Sequence, residues 1–78
     1  MTNKTFTLNK LRFYRERAGL TQKDVAAALG LDCTDRISRW ENGVAMPSVP
    51  NLFKLADIYK VMPHEMYPKL VLNLDTLS

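Results

Sequence analysis

The stretch Gly19-Leu20-Thr21-Gln22-Lys23-Asp24-Val25-Ala26-Ala27-Ala28-Leu29-Gly30-Leu31-Asp32-Cys33-Thr34-Asp35-Arg36-Ile37-Ser38-Arg39-Trp40-Glu41-Asn42-Gly43 decides how this chain folds. Thr21 suits a helix N-cap, and Asp24, three residues on, completes a pattern like a capping box. Val25, Ala28 and Leu29 then supply an apolar stripe as far as Gly30, which gives a helix of about two turns. Gly30 to Cys33 reads as a turn. A further helix is expected from about Thr34 to Asn42, closed by Gly43 in the left-handed region that a residue without Cβ enters without strain.

Upstream, Leu8, Leu11, Arg15 and Ala18 recur at helical spacing and define a first helix that Gly19 ends. Downstream, Val44 to Pro47 is a loop. Ser48 is placed to cap a fourth helix with Pro50 in its first turn and Val49, Leu52, Ala56 and Tyr59 as its buried stripe. Pro63 opens a short fifth helix that ends before Pro68. From Lys69 to Ser78 the leucines alternate, a period that suits a short C-terminal strand. The expected organisation is an N-terminal arm over 1–6, one all-α domain over 7–68, and a tail over 69–78 that either contributes to dimerisation, folds back over its own core or stays disordered.

A chain of 78 residues, 46% of them hydrophobic, holds one core and excludes a second domain. At this size only about 60% of the unfolded surface is buried, so association with a second copy is expected to help stability. One cysteine excludes an internal disulfide, and the start Met1-Thr2-Asn3-Lys4 lacks the apolar run of a signal peptide. Both point to a cytoplasmic setting, and no apolar run approaches the roughly 18 residues of a membrane span. The net charge of +3 is modest, but its distribution is not even. Residues 1–43 hold eight Lys or Arg against five acids, whereas 44–78 hold three of each, so a polyanion would meet the N-terminal half.

Two short helices joined by a four-residue turn make a helix-turn-helix, whose second helix lies in the major groove of DNA. Gly19 to Ala26, Leu29-Gly30-Leu31, Ile37 to Gly43, Met46-Pro47-Ser48 and Leu52 to Ala56 occur in an order that resembles the Cro and phage-repressor family, also called the xenobiotic-response-element family. The resemblance spans roughly residues 8–67. It implies a compact five-helix, lambda-repressor-like domain that binds DNA.

On the third helix, 100° per residue gathers Cys33, Ile37, Trp40 and Glu41 into the seam against the first two helices. Asp35, Arg39 and Asn42 fall on the opposite side, flanked by Arg36 and Ser38, with Thr34 at the start. Such a face offers donors and acceptors to base edges, so Thr34, Asp35, Arg36, Ser38 and Arg39 are the expected base contacts. The other reading is a solvated face on which Asp35 and Arg39 pair across one turn. Gln22 and Lys23 open the second helix, where free N–H groups and the positive dipole end suit a phosphate oxygen, although a cap with polar neighbours would look the same. By position in the resembled motif, Gln22 and Asn42 inherit contacts to the DNA backbone.

Arg15 lies on the apolar stripe of the first helix and Glu41 beside Ile37 and Trp40, so both charges aim inward and need a partner. They are expected to pair with each other as a structural link, as the resemblance also implies. Two features depart from the family pattern. Gly30 to Ile37 is one residue longer than the commonest spacing, which unsettles Thr34 and Asp35 as base contacts. The loop Val44-Ala45-Met46 carries no base and could offer phosphate only its backbone N–H groups.

Cys33 is expected to be a small hydrophobe of the seam, the alternative being a thiolate sensor at a helix start. His64 and Glu65 have no second ligand at metal spacing, and neither a cofactor motif nor a catalytic constellation is visible, so the expectation is no metal, no cofactor and no enzyme. The resulting reading is a sequence-specific transcriptional regulator of double-stranded DNA, a homodimeric repressor on a palindromic operator. The alternative is an antitoxin-type subunit that binds a partner protein as well as DNA. A small nuclease would need a carboxylate cluster that the sequence does not offer.

Overall fold

Five helices follow one another in the computed structural model, which describes residues 8–68: α1 (Leu11–Arg17), α2 (Gln22–Leu29), α3 (Asp35–Glu41), α4 (Val49–Tyr59) and α5 (Pro63–Met66). There is no strand among the described residues. The arm over 1–6 and the tail over 69–78, with its expected strand, lie outside them. No helix among the described residues is long and apolar enough to cross a membrane.

Local chemistry sets each boundary. In α2 the Thr21 hydroxyl accepts from the Asp24 N–H while the Asp24 carboxylate accepts from the Thr21 N–H, so two otherwise orphaned donors are satisfied reciprocally. That backbone hydrogen bond, with the Thr21 hydroxyl second, holds the Asp24 carboxyl below its ordinary range. Gly30 closes the helix at φ 75°, and the Leu31 N–H returns to the Ala26 carbonyl. Ser48 caps α4 by accepting from the Asn51 N–H.

The core consists of Leu11, Tyr14, Val25, Ala26, Leu29, Ile37, Trp40, Leu55, Ala56, Tyr59, Met66 and Tyr67. Helices α1 and α2 pack on α3, and α5 packs on α4. The chain closes on itself where the Lys10 N–H donates to the Met66 carbonyl at 2.9 Å. A second tie runs from Asn9, whose amide donates to the Trp40 carbonyl while its oxygen accepts from the Leu11 N–H.

Several expected core positions are exposed. Leu8 precedes α1, because the helix begins only after Asn9 has turned the chain, and Ala18 falls at the C-cap. Ala28 faces solvent because the buried side of α2 runs through Val25, Ala26 and Leu29. Val49 lies in the first turn of α4, about 70° round from the centre of the stripe that Leu52, Leu55, Ala56 and Tyr59 make. Cys33 is exposed, since it sits in the turn before α3 and not on the helix whose seam it was expected to join. Met62, Met66 and Tyr67, expected with the alternating leucines of the tail to offer a self-association patch, divide: Met66 and Tyr67 are buried in this chain's own core and Met62 is exposed.

Lys60 ends α4 in the left-handed region, at φ 62° and ψ 44°, where the Val61 N–H reaches back to the Ala56 carbonyl. A side chain there carries a Cβ penalty of about 1 kcal/mol that glycine lacks. Lys60→Gly, at this exposed cap, is expected to raise stability by about 0.5 kcal/mol, since the greater freedom of glycine in the unfolded chain cancels part of the relief. Thermal unfolding of the two proteins checks this, and a lower midpoint in the variant would contradict it.

Candidate nucleic-acid interface

The centre of the helix-turn-helix is a single carboxylate. Glu41 is the last residue of α3, and its side chain is 1% exposed. It accepts from Arg15 Nε at 2.5 Å and Arg15 Nη2 at 3.2 Å, from Gln22 Nε2 at 3.0 Å and from Arg12 Nε at 3.4 Å. Four donors from two other helices thus fill the acceptor sites of one carboxylate. Burial pushes the Glu41 carboxyl up, but the hydrogen bonds from Arg15, Gln22 and Arg12, together with the Arg15 charge, outweigh it and hold the group below its ordinary range. Arg15 is raised in turn, first by its hydrogen bond to Glu41, and its Nη1 also donates to the Leu20 carbonyl. Burial, with the Glu41 charge second, pushes the Tyr59 phenol up to about 12.

This carboxylate orients α3 against α1 and the start of α2, which leaves the other side of α3 open. Asp35, Arg36, Arg39 and Asn42 are exposed there, and Thr34 and Ser38 are half-buried. Asp35 and Arg39 make no ion pair with each other among the described residues. Asn42 donates to the Ser38 hydroxyl at 3.4 Å. Arg36 and Arg39 also line a shallow groove shared with Trp40, Ala45, Met46, Ser48 and Asn51, so the face of α3 continues onto the start of α4. Lys23 is exposed on the first turn of α2, and Gln22 beside it is half-buried with its amide on Glu41.

The extra residue between Gly30 and Ile37 is absorbed in the turn. Residues 32–34 are bends, α3 starts at Asp35, and Thr34 caps it without a side-chain hydrogen bond. In the loop after Gly43, the N–H groups of Val44 and Ala45 both donate to the Arg39 carbonyl. These two donors, expected to be open to phosphate, are therefore engaged within the domain.

Three features escaped the reading of the sequence. The Gln22 bond to Glu41 and the Asn9 bridge are contacts between residues far apart in the chain, and no local pattern signals them. Arg12 on the Glu41 carboxylate had a signal, since it stands three residues before Arg15 and so shares its face of α1.

A helix-turn-helix family model matches residues 11–65. The chain belongs to the Cro/C1-type helix-turn-helix family. Its fold is that of the lambda-repressor-like, all-α members. Among solved structures it is similar to the crystal structure of a candidate DNA-binding protein from Bacteroides fragilis, with 27% identity and a TM-score of 0.68, covering 76% of this chain and 94% of that one. No curated protein sequence matches it.

Within this helix-turn-helix protein, Glu41→Ala is expected to cost about 3 to 5 kcal/mol, because it strands the Arg15 charge in the interior. Melts of Glu41→Ala, Arg15→Ala and the double variant should give non-additive losses; additive losses would mean that the two residues are not energetic partners. The pH dependence has a definite sign. The folded-state pKa of Glu41 is lowered, so its contribution is fully present above the unfolded value of about 4.3 and is lost as pH falls through the folded value. The melting midpoint should therefore fall below about pH 4, and Glu41→Gln should show a shallower acid decline from a lower plateau.

Proposed function

We propose that this protein is a sequence-specific transcriptional regulator that binds double-stranded DNA as a homodimeric repressor. The observation that carries the reading is the open face of α3, where Arg36 and Arg39 project from the second helix of the helix-turn-helix and neither is tied to an acid of the domain among the described residues. An arginine so placed can take guanine O6 and N7 with two hydrogen bonds, and Asp35 can accept from a cytosine amino group. Thr34 and Ser38 complete the base-reading set. Gln22, Lys23 and Asn42 fix the register on the phosphate backbone, because they stand at the two ends of the reading unit. The similarity to a candidate DNA-binding protein supports the same reading.

One copy reaches only a few base pairs. Two copies related by a two-fold axis would place their reading helices about 34 Å apart on one face of the duplex, which suits a palindromic operator. With Met66 and Tyr67 inside the core, the self-association surface is assigned to the exposed Met62 and to the tail over 69–78.

Selection of bound sites from random duplex DNA tests the reading directly, with a palindromic consensus expected. Arg39→Ala should weaken binding to that consensus by about 1 to 3 kcal/mol and relax one base position per half-site, while a scrambled duplex loses much less. Equal losses on both duplexes would move Arg39 to the phosphate backbone. If each subunit neutralises about three to five phosphates, the dimer should show a log-log salt slope of about −5 to −9. Affinity independent of ionic strength would refute nucleic-acid binding.

A further inference from the structure

Arg12 stands outside the set of residues so far given a role on DNA. Its side chain is 57% exposed, yet its Nε is anchored on the buried Glu41 carboxylate. The two Nη groups of Arg12 have no hydrogen bond among the described residues. The same Glu41 oxygen, Oε1, also accepts from Gln22 Nε2, at 3.0 Å against 3.4 Å for Arg12. The guanidinium of α1 and the amide at the head of α2 thereby converge on one carboxylate oxygen.

The charges point the same way. Arg12 and Arg15 face one carboxylate, so the cluster keeps one positive charge, and Arg15 is buried whereas Arg12 is not. The uncompensated charge is therefore presented to solvent beside Gln22. Glu16, one turn on from Arg12 in α1, makes no ion pair with it among the described residues, and Asp24, the acid nearest Gln22 in sequence, has its carboxylate on the Thr21 N–H in the capping box. A planar guanidinium with one edge fixed and its outer N–H groups free is suited to phosphate oxygens, and it loses less side-chain entropy on binding than an unrestrained arginine.

We infer that Arg12 is a phosphate-backbone contact, held in place by Glu41 so that it and Gln22 grip one DNA phosphate together. The inference rests on the DNA-binding reading above and adds α1 to the surface that meets the duplex. Glu41 acts here as a positioning residue and touches no DNA.

The test is a salt titration of the full chain against a fluorescent duplex of random sequence, because a phosphate contact carries no sequence information. Arg12→Ala should remove about 0.9 from the magnitude of the log-log slope per subunit bound. The ratio of affinities between about 50 and 200 mM salt then shrinks by about 3- to 4-fold for each Arg12 lost. Arg12→Lys should restore most of the slope, because the charge is kept. Arg17→Ala should leave the slope unchanged, since Arg17 lies about 140° round α1 from Arg12 and over the Tyr14 ring.

The melting midpoint of Arg12→Ala should stay close to that of the parent, as expected for an exposed ion pair. An unchanged slope in Arg12→Ala beside a salt-dependent parent overturns the role of Arg12 alone. A slope lost together with a large drop in midpoint also overturns it, because Arg12 would then be a structural prop. A parent that shows no salt-dependent binding removes the DNA reading and this inference with it.

Discussion

The mutual orientation of the first three helices depends on one buried carboxylate. Glu41 takes two N–H groups from Arg15, one from Arg12 and one from Gln22, and it does so from the last turn of α3. Two short helices have little apolar surface with which to fix their mutual angle, and α1 and α3 have only seven residues each. A multiply bonded carboxylate supplies what a sliding apolar contact does not, a defined distance and direction. Replacement of such a pair by well-packed apolar residues is often neutral in free energy. What Glu41 contributes is therefore geometry more than net stability. The outward face of α3 is set because its inward end is fixed.

Most of the fold was legible because its boundaries are written in residues with one physical meaning each. Thr21 with Asp24, Gly30, Ser48 and Pro63 mark helix ends by capping or by the loss of a donor, and each stands where it was expected. Positions inside the helices were less legible. Leu8, Ala18, Ala28 and Val49 all fit a helical period, yet each is exposed. Periodicity fixes the angle between residues but not the centre of the buried sector, and that centre is set by the neighbour that arrives. Cys33 illustrates the same limit, since the angle that counts it into the seam applies only within a helix, and it lies exposed in the turn before α3 begins at Asp35.

The site divides along the same line. Residues of the open α3 face follow from the angular arithmetic once Ile37 and Trp40 are placed inside, and Arg36 and Arg39 are exposed as that arithmetic requires. The inward aim of Arg15 and Glu41 could be read because a charge on an apolar stripe demands a partner. Gln22 carried no such demand. A polar residue at the head of a helix is satisfied by water, so its bond to Glu41, nineteen positions away, has no trace in local sequence. The lack of bases in the loop after Gly43 is plain in the sequence, whereas the use of its N–H groups by the Arg39 carbonyl depends on how the chain turns.

The small net charge of +3 is sufficient for a polyanion partner because of where the unpaired charges remain. Of the basic residues described in the N-terminal half, Arg15 is buried on Glu41 and Arg12 shares the same carboxylate. Lys10 lies over the Phe13 ring at 5.9 Å and Arg17 over the Tyr14 ring at 5.3 Å, so α1 keeps these side chains near its own aromatic surface. The three that remain, Lys23, Arg36 and Arg39, all belong to the helix-turn-helix. Internal contacts have thus sorted the charge. Those that order the domain occupy the bases of α1, where Arg12 alone stays largely exposed with its outer N–H groups open, and the cations of this half with neither an ion pair nor a cation–ring contact among the described residues lie on α2 and α3. A field concentrated in this way steers a polyanion toward one face without the penalty in self-repulsion that a large net charge imposes on a small fold.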